Sequence, residues 1–210
     1  AVAVEQGLHL LMGNGFHRAQ QEREAIELLI GKRCEALVVH SKALSDEELI
    51  DYALRAPGMV LINRDIPSLR GRCIALNNRQ GAATATRHLL ELGHRHIAFL
   101  SSDHAIEDAL LRHQGYQDAL AEAGLSADPE LVESGMPNEE GGERAMLNLL
   151  AKGLPITAVV AYNDAMAAGA ISVLADNGLK VPEEVSVVGF DDIIYARYLR
   201  PKLSTMRYPI

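Results

Sequence analysis

The run Ile156-Thr157-Ala158-Val159-Val160-Ala161-Tyr162-Asn163-Asp164 opens the segment that decides the fold, and Val185-Ser186-Val187-Val188-Gly189-Phe190-Asp191-Asp192 closes it. Each is a short apolar stretch ending in a polar pair, the pattern of a strand buried on both faces. Between them Asp164–Asn177 is Ala-rich with helical spacing, Gly178 stops the helix and Pro182 follows. The segment therefore reads as a βαβ unit. In open parallel sheets ligands bind outside the carboxyl ends of the strands, so Asn163 and Asp191, planted there, are the first candidates for a small-molecule site.

Outward from this unit the same alternation fills the chain. Strands are expected at Leu8–Met12, Ala36–His40, Met59–Asn63, Cys73–Leu76, His96–Leu100, Ile156–Tyr162 and Val185–Phe190. Helices are expected at Ala19–Ile30, Asp46–Arg55, Gly81–Leu92, Ile106–Ala123, Glu140–Ala151 and Asp164–Asn177. Gly31, Gly93, Gly124, Gly153 and Gly178 stand where left-handed C-caps belong, and Ser45 with Glu48 forms a capping box. The class is α/β with parallel sheets. The polar break Asn77-Asn78-Arg79-Gln80-Gly81, after which a fresh βα series begins, places a crossing between two subdomains near residues 76–80. A single sheet with an ordinary loop there is the alternative. The division reads as 1–76 and 77–206, with 207–210 starting a return crossover.

Composition narrows the function. A formal net charge of −8 and a pI near 5.5 argue against a phosphate-binding surface, since nucleic-acid binders concentrate Lys and Arg on one face. Cys34 and Cys73 sit in or beside apolar strand patterns, as buried thiols in a reducing compartment do, so a cytoplasmic location fits best. No apolar run reaches the roughly 18 to 20 residues that span a bilayer, and Ala1–Gln6 lacks the regions of a signal peptide. No Gly-x-Ser-x-Gly elbow, His-Glu-x-x-His, Cys-x-x-Cys or P-loop is present, so neither an enzyme nor a cofactor is indicated. His88, His94 and His96 cluster at a helix C-terminus, where partial positive charge is favourable, which outweighs metal ligation as their reading.

The strand ends carry a common chemistry. Asn14, His40, Asn63, Ser101, Asn163 and Asp191 each follow or end a strand, and each exchanges hydrogen bonds readily with hydroxyl groups. Singly they are helix caps and turn formers; together on sheet edges they outline a polyol site. Arg112 adds a planar fork of donors suited to adjacent hydroxyls, unless it belongs to a solvated helix face with Glu107 and Asp108. Of Asp191-Asp192, one carboxylate is expected to accept from ligand hydroxyls and the other to cap the short helix that follows.

Several stretches taken in order carry a resemblance. They are Gly93-His94-Arg95-His96-Ile97, Arg112-His113-Gln114-Gly115-Tyr116, Ala161-Tyr162-Asn163-Asp164-Ala165-Met166-Ala167-Ala168-Gly169, Val188-Gly189-Phe190-Asp191-Asp192 and Arg200-Pro201-Lys202-Leu203-Ser204-Thr205. Their order and spacing resemble the effector-binding core of lactose-repressor-family transcription regulators over nearly the whole chain. Gly13-Asn14-Gly15-Phe16-His17, Val38-Val39-His40-Ser41-Lys42, Pro57-Gly58-Met59-Val60-Leu61-Ile62-Asn63-Arg64 and Arg207-Tyr208-Pro209-Ile210 are most similar to the galactose repressor and isorepressor subgroup.

The resemblance implies two Rossmann-like, periplasmic-binding-protein-like subdomains, truncated at both ends, with a small-molecule sugar bound between them. It carries the family's effector-contacting Arg onto Arg112, its Asn onto Asn163 and its Asp onto Asp191, and less firmly its further contacts onto Asn63 and His40. Some members stack a Trp on the sugar; this chain has none, and Phe16 is the substitute at hand. The implied partners are a second copy in a homodimer and operator DNA, the latter only through a headpiece absent from these residues, and no membrane. A periplasmic sugar-binding protein of a transporter and an α/β enzyme acting on a sugar or nucleotide remain open alternatives at this point. In a mobility-shift assay this chain alone is expected to leave operator DNA unshifted with or without galactose; a sugar-dependent shift would contradict that reading.

Overall fold

The polar stretch after Leu76 is where the computed structural model, which describes residues 2–208, divides: one unit is Ala1–Leu76 and the other Asn77–Ile210. The first holds α1 (Val2–Glu5), α2 (Ala19–Gly31), β1 (Leu37–Val39), α3 (Asp46–Arg55), β2 (Met59–Ile62), a 3-10 segment at Pro67–Arg72 and β3 (Cys73–Ile74). The strands form a parallel sheet in the order β1-β2-β3, with Leu37 opposite Met59 and Leu61 opposite Cys73. Strand periodicity decides which side is interior: Leu37, Val39, Met59 and Leu61 join Ile26, Leu49 and Tyr52 in the core, whereas Val38 points away. At the start of α3, Ser45 and Glu48 each accept from the other's backbone N–H, the complete capping box.

Two expectations for this unit are corrected. Leu8–Met12 is not a strand; its apolar side chains lie exposed, Met12 to 87%. The pattern is that of an interior strand, but among the described residues no strand pairs with it, and without a ladder its backbone groups gain nothing from extension. Gly31 is not a left-handed cap either. It closes α2, and the residue with positive φ is Arg33, at 55°.

The second unit contains α4 (Asn78–Glu91), β4 (Ile97–Ser102), α5 (Glu107–Glu122), β5 (Val132–Gly135), α6 (Glu139–Ala151), β6 (Ala158–Ala161), α7 (Asp164–Asp176), β7 (Ser186–Asp191) and β8 (Ser204–Arg207). Its sheet runs β5-β4-β6-β7-β8, parallel throughout. Leaving β4, the chain adds β5 on one side and returns to add β6 on the other, so the carboxyl ends of β4 and β6 flank a switch point. Alternate residues feed two cores: Ile97, Phe99, Val160 and Val188 pack with Leu89, Tyr116 and Leu120 of α4 and α5, while Ala98, Leu100, Val159 and Ala161 pack with Met146, Leu149, Met166 and Leu174 of α6 and α7. Gly93, Gly124, Gly153 and Gly178 adopt the expected positive φ.

Two strands were not foreseen. β5 is Val-Glu-Ser-Gly, an edge strand with one aliphatic residue, and β8 has only Met206, so neither shows an apolar run. Arg207 ends β8 opposite Asp191, and Pro209 and Ile210 of the expected crossover lie outside the described residues. The break at 77–81 is likewise no loop. It is the first turn of α4, with the Asn77 side chain accepting from the Gln80 N–H. The thiols of Cys34 and Cys73 are free and partly buried.

Helix pairs on both faces meet through glycine. A methyl at Gly169 of α7 would collide with the carbonyl oxygen of Glu139 in α6, and one at Gly115 of α5 with that of Arg79 in α4. Neither obstacle is a flexible side chain, so the helices would have to part. Gly169→Ala is expected to cost about 1–3 kcal/mol, the range for overpacking a close-packed interior. Urea denaturation of the variant measures it, and an unchanged midpoint would show that the α6–α7 contact is looser than described.

Candidate functional site

Arg112 sits on the buried side of α5 and is only 5% exposed, so it is not part of a solvated helix face. A buried guanidinium must have its donors satisfied. Its Nε donates to Asn78 Oδ1 at 2.9 Å, Nη1 to the Tyr162 carbonyl at 2.5 Å, and Nη2 to Asp191 Oδ1 at 3.4 Å. The Phe190 and Tyr162 rings approach it with centroids 3.7 and 4.6 Å away, a contact favourable to a cation. Arg112 thus lies across the ends of β6 and β7.

The backbone at the end of β7 is arranged for the same spot. Asp191 and Asp192 have φ of 110° and 55°, positive values that residues with a Cβ rarely adopt. Such conformations cost on the order of 1–3 kcal/mol each and persist only where their surroundings impose them. Asp191 is thereby presented to Arg112 while remaining partly open. Asp192 does not cap the following 3-10 turn: its carboxylate accepts from Arg207 Nε at 2.8 Å, and the Ile193 N–H donates to Asp164 instead. Asp164, completely buried, also accepts from Thr205 Oγ1 at 2.5 Å and so ties the start of α7 to β8.

Asn163 caps α7, its Oδ1 accepting from the Met166 N–H at 2.9 Å while Nδ2 donates to the Pro137 carbonyl at 2.9 Å. It is partly buried and immediately follows Tyr162, whose carbonyl holds Arg112, so Arg112, Asn163 and Asp191 share one end of the sheet. Ser101, near the carboxyl end of β4, stands at the same end of the sheet. It lines a recess of about 420 Å³ with Ser102, His104, Ile106, Leu110 and His113. The His113 ring stacks on Phe99, and burial holds its pKa below the usual histidine value.

In the first unit His40 follows β1 and Asn63 follows β2, and Asn63 Nδ2 stands 3.4 Å from His40 Nε2. Asn63 has a φ of 56°, and its carbonyl accepts from Lys42 Nζ at 3.2 Å. Asn14 shapes its own turn, Oδ1 accepting from the Phe16 N–H at 2.9 Å, and the Phe16 ring is 65% exposed. Glu22, buried in the first turn of α2, accepts from Ser41 Oγ and the N–H groups of Lys42 and Ala43, which fixes the loop carrying His40. Sequence reading missed Glu22, Asn78, Tyr162 and Phe190 as parts of these arrangements. Only the proximity of Glu22 to a strand-end loop and of Asn78 to a helix start would have marked them, and neither signal names a partner.

Residues 86–210 match the family model described as periplasmic binding protein-like domain. The HTH-type transcriptional regulator GalR of Escherichia coli (strain K12) is 56% identical over 209 residues, an alignment covering 100% of this chain and 61% of that protein. GalS of Salmonella typhimurium is 52% identical over 209 residues, covering 100% of this chain and 62% of that protein. The chain thus spans about 61% of the length of the curated relatives it matches. A sugar-binding transcriptional regulator of the LacI family from Escherichia coli, solved in complex with phosphate, superimposes with a TM-score of 0.90 at 35% identity, over 99% of this chain and 75% of that one. The Escherichia coli transcriptional repressor AscG does so with a TM-score of 0.91 at 35% identity, over 99% and 76%.

The acids at the sheet end resist ionisation. Burial pushes the Asp191 carboxyl up to about 6 despite the attraction of Arg112, and the nearby Asp164 charge adds to the rise; burial likewise raises Asp164. With its folded value above its unfolded one, Asp191 holds its proton more tightly in the folded chain. Its contribution to stability is therefore greatest in acid and falls as pH rises from near 3.8 through about 6. Between pH 4 and pH 7 the stability of Asp191→Asn relative to the parent is expected to rise by about 1–3 kcal/mol, whatever the constant cost of removing the carboxylate from Arg112. Urea titrations at the two pH values give the comparison, and a difference independent of pH would refute a hard-to-ionise Asp191.

Proposed function

The chain belongs to the periplasmic binding protein-like family, within its LacI-type transcriptional regulators, and from that membership we propose that it is the sugar-sensing, effector-binding part of a DNA-binding transcription regulator that responds to galactose or a related sugar. The observation that carries the reading is Arg112, a cation buried and held on three sides with one edge on Asp191. A fixed donor fork beside a carboxylate acceptor complements adjacent hydroxyls, each of which both donates and accepts. Asn163 supplies a further polar contact from the end of β6. In the first unit His40 and Asn63, with Asn14 and Phe16, are the proposed contacts. The GalR and GalS relatives support galactose as the first sugar to test.

Sugar binding acts on DNA by linkage. An effector that prefers one conformation of the protein over another shifts the equilibrium by its difference in affinity, typically about 1–3 kcal/mol, or roughly 5- to 150-fold in DNA binding. In this reading the whole regulator works as a homodimer in the cytoplasm, and operator DNA is held by a headpiece outside these residues. Among the described residues no helix is long and apolar enough to cross a membrane. The transporter-associated binding protein weighed from the sequence gives way, because the relatives named above are transcriptional regulators.

A site of fixed donors and acceptors discriminates stereoisomers well, since the wrong isomer leaves buried polar groups unpaired. Isothermal calorimetry with galactose, fucose, glucose and ribose is expected to show a clear preference for galactose. Asp191→Ala is expected to weaken that binding by about 2 kcal/mol or more, as loss of a charged hydrogen-bond partner does. Equal affinities across the four sugars would defeat the galactose assignment, and an Asp191→Ala variant that binds as the parent does would defeat the site.

A further inference from the structure

We infer that Asn78 is the positioning residue of this site, orienting Arg112 for the sugar through a link that begins at Asp108. Asn78 is the first residue of α4 and is 6% exposed. Both ends of its amide are used: Oδ1 accepts from Arg112 Nε at 2.9 Å, and Nδ2 donates to Asp108 Oδ1 at 3.2 Å. The Asp108 carboxylate therefore determines which way the amide faces, because only Nδ2 can donate to it. That orientation leaves Oδ1, and no N–H, toward Arg112. A reversed amide would set two donors against each other.

The bond to Asn78 is what fixes the turn of the guanidinium about its own stem. The Tyr162 and Phe190 rings confine its plane, but sliding within that plane is limited only by the in-plane hydrogen bonds. Asn78 holds the Nε edge and the Tyr162 carbonyl holds Nη1, so the remaining Nη2 edge is aimed at Asp191, where a hydroxyl would bind. The fold supports this contact, because Gly115, three residues beyond Arg112, lets α5 approach the carbonyl of Arg79, the residue after Asn78. Asn78 is not a sugar contact itself. It acts through Arg112, and its effect on affinity rests on the sugar reading above, whereas its effect on Arg112 does not.

The test uses three variants and two readouts. Asn78→Ala removes the acceptor and is expected to weaken galactose binding about tenfold, in line with losing a hydrogen bond to a charged group. Asn78→Asp keeps an acceptor for Arg112 but sets two carboxylates against each other, and it is expected to weaken binding comparably. Combining Asn78→Asp with Asp108→Asn reverses donor and acceptor and is expected to restore affinity to within about threefold of the parent. Independently of any ligand, 15N relaxation of the Arg112 Nε–H should show a rigid group in the parent and in the double variant and a mobile one in Asn78→Ala. Unchanged affinity in Asn78→Ala, an Arg112 Nε equally rigid without Asn78, or no recovery in the double variant would each overturn the inference. If the parent binds none of the sugars, the sugar reading fails and the relaxation data alone decide the role of Asn78. Should Asn78→Ala not fold, the comparison of Asn78→Asp with and without Asp108→Asn decides by the same two readouts.

Discussion

A guanidinium kept out of water is the constraint around which the second unit is built. Burying Arg112 is costly unless its charge is balanced and its donors are met. Meeting them takes three separate elements: the start of α4 for Asn78, the end of β6 for the Tyr162 carbonyl, and the end of β7 for Asp191. The Tyr162 N–H is occupied by the Leu100 carbonyl, while its own carbonyl lies past the last β6–β7 pair, Val160 with Val188, and so is available to Arg112. The site is therefore where the sheet's own pairing runs out.

The acidic residues nearby show how placement divides one chemistry into two roles. Asp164 is fully buried, and Thr205 and the Ile193 N–H occupy its oxygens, so it serves as a fastener between α7 and β8. Asp191 has Arg112 on one side and an opening on the other, which leaves acceptor capacity for a ligand. Asp192, one residue on, turns to Arg207. Three carboxylates within a short reach thus differ in function because they differ in what already binds them. The strained backbone at Asp191 and Asp192 keeps the two adjacent carboxylates on separate partners.

The family assignment and the geometry meet at these residues. One superimposable LacI-family regulator is a sugar-binding one, which supports the sugar effector proposed for this chain, and a buried Arg–Asp pair at the strand ends is chemistry suited to a hydroxyl-rich ligand. The preorganisation is what such a ligand needs, since donors already fixed lose less freedom on binding than donors that must be ordered by it.

Periodicity and punctuation were enough to read the βαβ order, because buried parallel strands and amphipathic helices impose their periods directly on the residues they use. For the same reason Asn163 and Asp191 were legible as candidates, since their places at strand ends are local facts, whereas Arg112, inside a helix, was singled out from a solvated helix face only by the family resemblance. Leu8–Met12 misled because an apolar run shows the capacity to pair and says nothing of whether a neighbouring strand is there, and β5 and β8 escaped because edge strands need little apolar surface. The joining of Asn78 to Arg112, 34 residues apart, and of Arg112 to Asp191, 79 apart, was decided only in three dimensions. Such contacts depend on how closely two helices approach and on where a sheet ends, quantities set by packing across the whole unit and written in no single stretch of the chain.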